Sequence, residues 1–211
     1  MTVHAPYGFA TDGGTDTETN AGPEAVTAAV VDPERADPLK SLTDPAALRD
    51  RTNVTALEST YTHEDPDHCE ASAAGRVIVG ATNDDDEALL LVPDESDHVI
   101  LPNAVIESDD DWATAARRAV AEETDTDVRL DGIEHVRTVE HVVETGDGTG
   151  DGTRHQNTTQ HVLFHASPVD ATDETESTAA EDGWHAGWYD DLPVDPDEEG
   201  DVIADVRTVL D

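Results

Sequence analysis

The stretch that decides the fold is Leu101-Pro102-Asn103-Ala104-Val105-Ile106-Glu107-Ser108-Asp109-Asp110-Asp111-Trp112-Ala113-Thr114-Ala115-Ala116-Arg117-Arg118-Ala119-Val120-Ala121-Glu122-Glu123-Thr124-Asp125. Ser108 with Asp111 three residues on has the spacing of a capping box, and acidic residues in the following turn suit the positive end of a helix dipole. Trp112, Ala115, Ala116, Ala119 and Val120 recur at three- and four-residue intervals and predict one buried stripe. Glu122 and Glu123 follow position 119 by three and four residues, so the three positions are neighbours at one end of that helix. Strand, tight loop, capped helix and terminal glutamate pair come in the order that builds a metal and diphosphate site. Magnesium needs only one or two protein carboxylates when phosphate oxygens and water complete its octahedron.

Outward from this segment the pattern stays regular. Strands are predicted at about 76–81 and 87–92, a turn through Pro93 to Asp97, and a further strand at 98–101. On the C-terminal side 128–143 is β-rich with an interruption near 134–137, 161–166 is a strong strand, and 184–189 is a short aromatic strand stopped by Leu192-Pro193. Val202, Ile203, Val206, Val209 and Leu210 then space out an amphipathic helix. On the N-terminal side Thr43-Asp44-Pro45 opens a short helix over 46–51, and 54–61 alternates as a strand. The order predicts an α+β domain with a mixed sheet.

The composition is extreme: 50 acidic against 11 basic residues, a net charge of -39, and Lys40 as the only lysine. Val, Leu, Ile and Phe number 41 of 211, just under the roughly 20% that suggests disorder at such charge. Only five of the 41 fall in residues 1–38, against 31 in 71–211. The deficit therefore belongs to 1–38, which reads as a disordered acidic tail, and the rest reads as a folded domain with a halophilic surface. At about 1 M salt the screening length is only ~3 Å, which removes most of the self-repulsion. Such a chain gains nothing from phosphate counterion release, so nucleic acid and anionic membranes are excluded as partners. No apolar run approaches a membrane span, residues 1–10 lack the features of a signal peptide, and the single Cys69 forms no internal disulfide, so a cytoplasmic location is expected.

The quoted segment resembles the box of the Nudix hydrolases: a glycine, five residues, a glutamate, seven residues, then Arg-Glu-aliphatic-any-Glu-Glu-any-Gly-aliphatic. Anchored on Glu122-Glu123, Ala104 takes the first glycine position, Asp110 the glutamate, Arg118 the arginine, Ala119 the next glutamate, Val120 the aliphatic site and Asp125 the second glycine. Leu101-Pro102 precedes the box as in many members, and Trp188-Tyr189-Asp190-Asp191-Leu192-Pro193 looks like the segment before the last helix in that family. The resemblance covers 74–211 and implies a Nudix-like α/β/α sandwich, preceded by a helix-strand extension at 39–73 and the tail at 1–38.

What the resemblance implies about activity is hydrolysis of a nucleoside diphosphate linked to another moiety, by water attack on phosphorus, with magnesium or manganese held by Glu122 and Glu123. Arg118 would orient a box carboxylate, with Glu122 at i+4 as its partner. Ala119 stands where the family has a metal-ligating glutamate, so a base must come from elsewhere: Glu107, Glu140, Glu144 and His155 are the candidates. Ala104, Ala119 and Asp125 together favour the alternative, a non-catalytic module that binds a nucleotide-like ligand. A small-molecule diphosphate is the expected partner, and a homodimer is compatible with the resemblance.

Other clusters read as ordinary surface or core. His63, Asp65, Asp67, His68 and Cys69 lack zinc-site spacing and read as an acidic linker. The Gly-Asp run at 146–152 reads as a flexible loop, and 170–182 as a linker. His161 and His165 share parity with Leu163 and have surface or core roles ahead of lining a concave substrate face. Trp184, Trp188 and Tyr189 read as core anchors. Cys69 has no basic setting that would make it a nucleophile.

Overall fold

The computed structural model describes residues 39–63, 73–93, 98–144, 153–169, 179–180, 183–193 and 200–211, with backbone alone at 144, 153–156 and 179–180. The chain divides after Ala36, and every described residue lies in the second unit, Asp37–Asp211. The expected tail, most of the His63 to Cys69 cluster and the Gly-Asp run lie outside the described residues.

Among the described residues eight strands and two helices follow one another: β1 (Thr55–His63), β2 (Ala73–Ala81), β3 (Ala88–Pro93), β4 (Asn103–Glu107), α1 (Trp112–Thr124), β5 (Val128–Glu144), β6 (Thr153–Pro168), β7 (Ala179–Ala180), β8 (Trp184–Tyr189) and α2 (Asp201–Leu210). One sheet has the order β1-β5-β6-β2-β4 and the other β3-β8-β7. The larger is mixed: β1 runs parallel to β5 and β2 parallel to β6, while β5–β6 and β2–β4 are antiparallel. β1, from the segment ahead of the box resemblance, is thus an edge strand of the main sheet.

Alternation along the strands sorts side chains into two cores. Val77, Val79, Val162, Phe164, Leu89 and Leu91 face the cluster that receives the buried α1 residues Ala113, Ala116 and Val120. Leu163, Leu90 and Val92 face a second cluster with Ile203 and Val206 of α2. β3 buries both faces, which is why 89–92 is an unbroken apolar run rather than an alternating one. Where α2 crosses β2, a Cβ on Gly80 would stand 2.3 Å from a Val209 methyl, so only glycine allows the helix this close. The result is the expected α+β architecture, a mixed sheet with α1 and α2 packed on opposite sides.

Several local expectations shift. The predicted helix at 46–51 is a single 3-10 turn, Ala46–Leu48, because Leu48 is its one buried residue and so short a segment cannot offset helix nucleation. The predicted strand at 98–101 is only a bridge between Ile100 and Leu91. The tight loop expected after it contains β4, which pairs with the open edge of β2. The helix cap is Asp111 rather than Ser108. Its Oδ1 accepts from Thr114 N at 2.8 Å, and its Oδ2 accepts from Leu42 N at 3.0 Å and from the Ser41 hydroxyl. Burial works against the Asp111 carboxylate, but these hydrogen bonds hold its pKa below the ordinary value. The turn at 107–110 is closed by Asp110 N donating to Glu107 O at 3.2 Å. α1 ends at Asp125 in the left-handed region, φ 54°, the conformation that a second glycine would supply. Ala104 sits in β4 and needs no positive φ. The interruption expected near 134–137 is a register shift between Ile133 and His135.

α2 is also held by charge. Arg137 on β5 donates to both oxygens of Asp205, at 2.7 and 3.1 Å, with both side chains about 4% exposed. His135 Nε2 lies 3.3 Å from Asp205 Oδ1 but makes no hydrogen bond with it.

Candidate functional site

The end of α1 carries the two glutamates to the edge of the sheet. Glu123 is half-buried, and its Oε2 accepts from Asn103 N at 3.0 Å, tying the helix end to the start of β4. Asn103 in turn holds Leu101 O through Nδ2 at 2.9 Å and receives a hydrogen bond from the Arg76 guanidinium on Oδ1. Burial raises the Glu123 pKa; the Asn103 bond and Arg76 oppose this, and the neighbouring Glu122 carboxylate adds to it. Glu122 itself is exposed.

The other sequence-predicted positions are dispersed. Arg118 is exposed on α1 and makes no hydrogen bond or ion pair among the described residues. Ala119 is 3% exposed, so a methyl packs at the position where the family resemblance expects a ligand. Asp110 spends a carboxylate oxygen on Glu107 N at 3.1 Å. Glu107 and Glu140 are exposed on their strands, and neither lines a cavity described below. The side chains of Glu144 and His155 lie outside the described residues. Among the described residues no group of three His, Cys, Asp or Glu side chains is placed to hold a metal.

Beside the glutamates lies a cleft that the sequence does not announce. Among the described residues α2 covers only part of its face of the sheet, and the remainder forms two lobes of about 240 and 410 Å³ that share Tyr61, Arg76 and His161. The pairing register puts these side chains together: Arg76 is opposite His161 across β2–β6, and Arg137 opposite His161 across β5–β6. The smaller lobe reaches Asn103 and the first turn of α2 at Asp201 and Val202. The larger is walled by His63, His141, Asn157 and Val105.

Imidazole and phenol rings dominate this cleft. His63 Nε2 and His141 Nδ1 are 3.0 Å apart with their rings stacked, and His141 Nε2 meets Thr159 Oγ1 at 2.9 Å. Tyr61 stands edge-on to both His141 and His161. Its hydroxyl donates to Asp201 Oδ2 at 3.0 Å, and burial together with that carboxylate pushes the Tyr61 pKa up to about 12. Burial, then the Arg76 and Arg137 charges, lowers His161 to about 4. Arg76 and Arg137 face the smaller lobe together with Asp201 and Asp205, and Arg137 is paired with Asp205.

His161 thus lines the cleft, whereas His165 is exposed, 3.4 Å from Thr82 Oγ1. Trp184 and Trp188 pack against the first core and Tyr189 against the second, as anchors. Sequence reasoning missed Asn103, Arg76, Tyr61 and His141. The one available signal was Arg76, a cation opening an apolar strand in a chain with 11 basic residues.

No protein-family model matches the sequence, and no curated protein matches it. Solved structures to which it is similar include a UDP-X diphosphatase, at 14% identity and TM-score 0.39 over 69% of this chain and 66% of that one. An ADP-ribose pyrophosphatase from Streptococcus suis is similar at 14% identity and TM-score 0.38, over 64% of this chain and 90% of that one. A Nudix hydrolase from Nitrosomonas europaea is similar at 17% identity and TM-score 0.33, over 64% and 76%. The chain spans just under two thirds of the first of these. Among the described residues no helix is long and apolar enough to cross a membrane.

Proposed function

We propose that the chain is a metal-dependent Nudix-type hydrolase of a nucleoside diphosphate linked to another moiety. The observation that carries this reading is the half-buried Glu123, fixed on Asn103 N beside Arg76 with Glu122 next to it. Two adjacent carboxylates fit magnesium or manganese whose remaining positions are filled by substrate phosphate oxygens and water, and do not fit a cation held by protein alone. Glu122 and Glu123 would hold the ion, which when bound polarises the phosphate and acidifies a bound water. Asn103 keeps Glu123 in place, and Arg76 supplies the positive charge that draws an anionic diphosphate to an acidic protein. In the reaction the water oxygen bonds to phosphorus and its proton passes to solvent, the bridging P–O bond breaks, and the bridging oxygen leaves with the departing phosphate.

The test is release of monophosphate from a panel of nucleoside diphosphate derivatives with magnesium in salted buffer. Turnover that disappears in Glu123→Gln supports the reading; no turnover across the panel overturns it. The buried Ala119 favours a second reading, a module that binds the same ligand without hydrolysing it, and saturable binding with no release would establish that one.

A further inference from the structure

β1 is an edge strand of the larger sheet, paired on one side with β5. None of its residues is buried: Leu57, Ser59, Tyr61 and His63 are half-buried and the others are exposed. Apolar packing therefore does little to hold its last residues, which makes this end a low-stability part of the sheet. Two polar ties hold it instead. The Tyr61 hydroxyl donates to Asp201 Oδ2 at the start of α2, at 3.0 Å. His63 Nε2 lies 3.0 Å from His141 Nδ1 on β5, with ring planes 14° apart and centroids 5.3 Å apart. A contact that short between two ring nitrogens has room for one proton.

The number of protons on the pair sets its state. With both imidazoles neutral, one facing nitrogen donates and the other accepts; with one ring protonated the N–H···N bond persists and becomes charge-assisted. With both rings protonated each facing nitrogen carries a hydrogen, neither accepts, and two like charges meet. Thr159 Oγ1, 2.9 Å from His141 Nε2, suits every state, because a hydroxyl either donates or accepts. The surroundings oppose the second proton. Among the described residues no carboxylate lines this lobe, whose charged or titratable members are Tyr61, His63, Arg76, His141 and His161, and β4 faces it with Val105 alone. Burial, then Arg76, Arg137 and His141, already lowers His161 to about 4. Glu58 on β1 and Glu140 on β5 alternate to the opposite face of the sheet, and of the two lobes Asp201 borders only the smaller.

We propose that the His63–His141 pair is a pH-sensitive latch on the end of β1, closed while the facing nitrogens share one proton and opened by the second, which frees His63 from β5 and Tyr61 from Asp201. The released end binds at most one proton more than the latched end. Latching is therefore complete above the ordinary imidazole value of about 6.5 and weakens by up to tenfold per pH unit below it. Opening removes Tyr61 from the wall that both lobes share and unties β1 from the first turn of α2, so acid widens the cleft. The latch is a property of the fold and holds whether or not the chain hydrolyses a diphosphate.

The test is amide hydrogen exchange of the full chain in molar KCl at about pH 7.5, 6 and 4.5, corrected for the intrinsic pH dependence of exchange. Protection of the β1 amides at 59–63 is expected to fall about tenfold or more from the highest pH to the lowest, relative to the strand centres at 77–79 and 162–164. His63→Gln keeps a tie without the switch, since its amide donates to a neutral His141 and accepts from a charged one. Its β1 protection is expected to stay within about threefold across the same range. Nitrogen NMR of the wild-type side chains should show coupling between His63 Nε2 and His141 Nδ1 across the hydrogen bond at the highest pH and none at the lowest. Protection at 59–63 that ignores pH, that falls only in step with 77–79, or that falls as steeply in His63→Gln would overturn the latch. Absence of the nitrogen coupling at the highest pH would overturn it as well, independently of how the variant folds.

Discussion

Replacing Asp205 by asparagine removes the charge that Arg137 faces while keeping the side chain's shape. Both partners are about 4% exposed and joined at 2.7 and 3.1 Å, so the guanidinium would be left charged and dry. At about 4 Å between charge centres and an effective dielectric near 20, the lost attraction is ~4 kcal/mol. Breaking one side of such a pair costs about 3–5 kcal/mol, because the desolvation already incurred is no longer offset. His135 cannot substitute: burial first, with Arg137 beside it, holds its pKa low, so it is neutral near pH 7. Asp201, 3.6 Å from Arg137 Nε, lies too far for a second strong bond. The assay is urea unfolding of wild type, Asp205→Asn, Arg137→Met and Arg137→Met with Asp205→Leu. Each single variant should lose about 3 kcal/mol or more, and the apolar double should fall within about 2 kcal/mol of wild type. Because a buried pair is poorly screened, its coupling energy should hold between roughly 0.2 and 1 M KCl even as overall stability changes. A loss under about 1 kcal/mol in Asp205→Asn, or a coupling that fades with salt, would refute the assignment of this pair as the buried clamp on α2.

Gly80→Ala should destabilise by about 1–3 kcal/mol, since its Cβ meets a Val209 methyl, and Val209→Ala should restore most of that loss in a denaturant cycle. His161, with a folded pKa of about 4 against 6.5 ordinarily, binds fewer protons folded than unfolded, so its contribution is present above about 6.5 and is lost as pH falls toward 4. That contribution is about 3 kcal/mol, and the unfolding free energy of His161→Gln should fall less steeply over this window than wild type does; equal slopes would contradict the placement of His161 beside Arg76 and Arg137. With net charge -39, the melting temperature should rise as KCl goes from about 0.1 to 1 M, and a flat response would remove the halophilic reading of the composition.

Most of the architecture was legible because it is periodic. The stripe from Trp112 to Val120 and the alternation in 76–81 and 161–166 are local records of which face is buried, so helix and strands fall where the pattern puts them. The boundaries were less legible. Ser108 has the right spacing for a cap, yet Asp111 takes the role because Ser41 and Leu42, some seventy residues earlier in the chain, donate to it. β4 was hidden in an expected loop because its pairing depends on the free edge of β2.

For the site, the spacing of Glu122 and Glu123 was readable because helical geometry makes neighbours of residues three and four apart. The cleft was not, because β1, β2, β4, β5 and β6 all contribute side chains to it, and only strand register decides which of them meet. Tyr61, Arg76, His141 and His161 are scattered over about a hundred residues and carry no spacing signature. By itself the sequence determined the acidic surface, the periodic elements and the glutamate pair. The tertiary structure decided that a ring-lined cleft opens beside that pair, because strand pairing brings distant residues together and, among the described residues, α2 leaves part of the sheet uncovered.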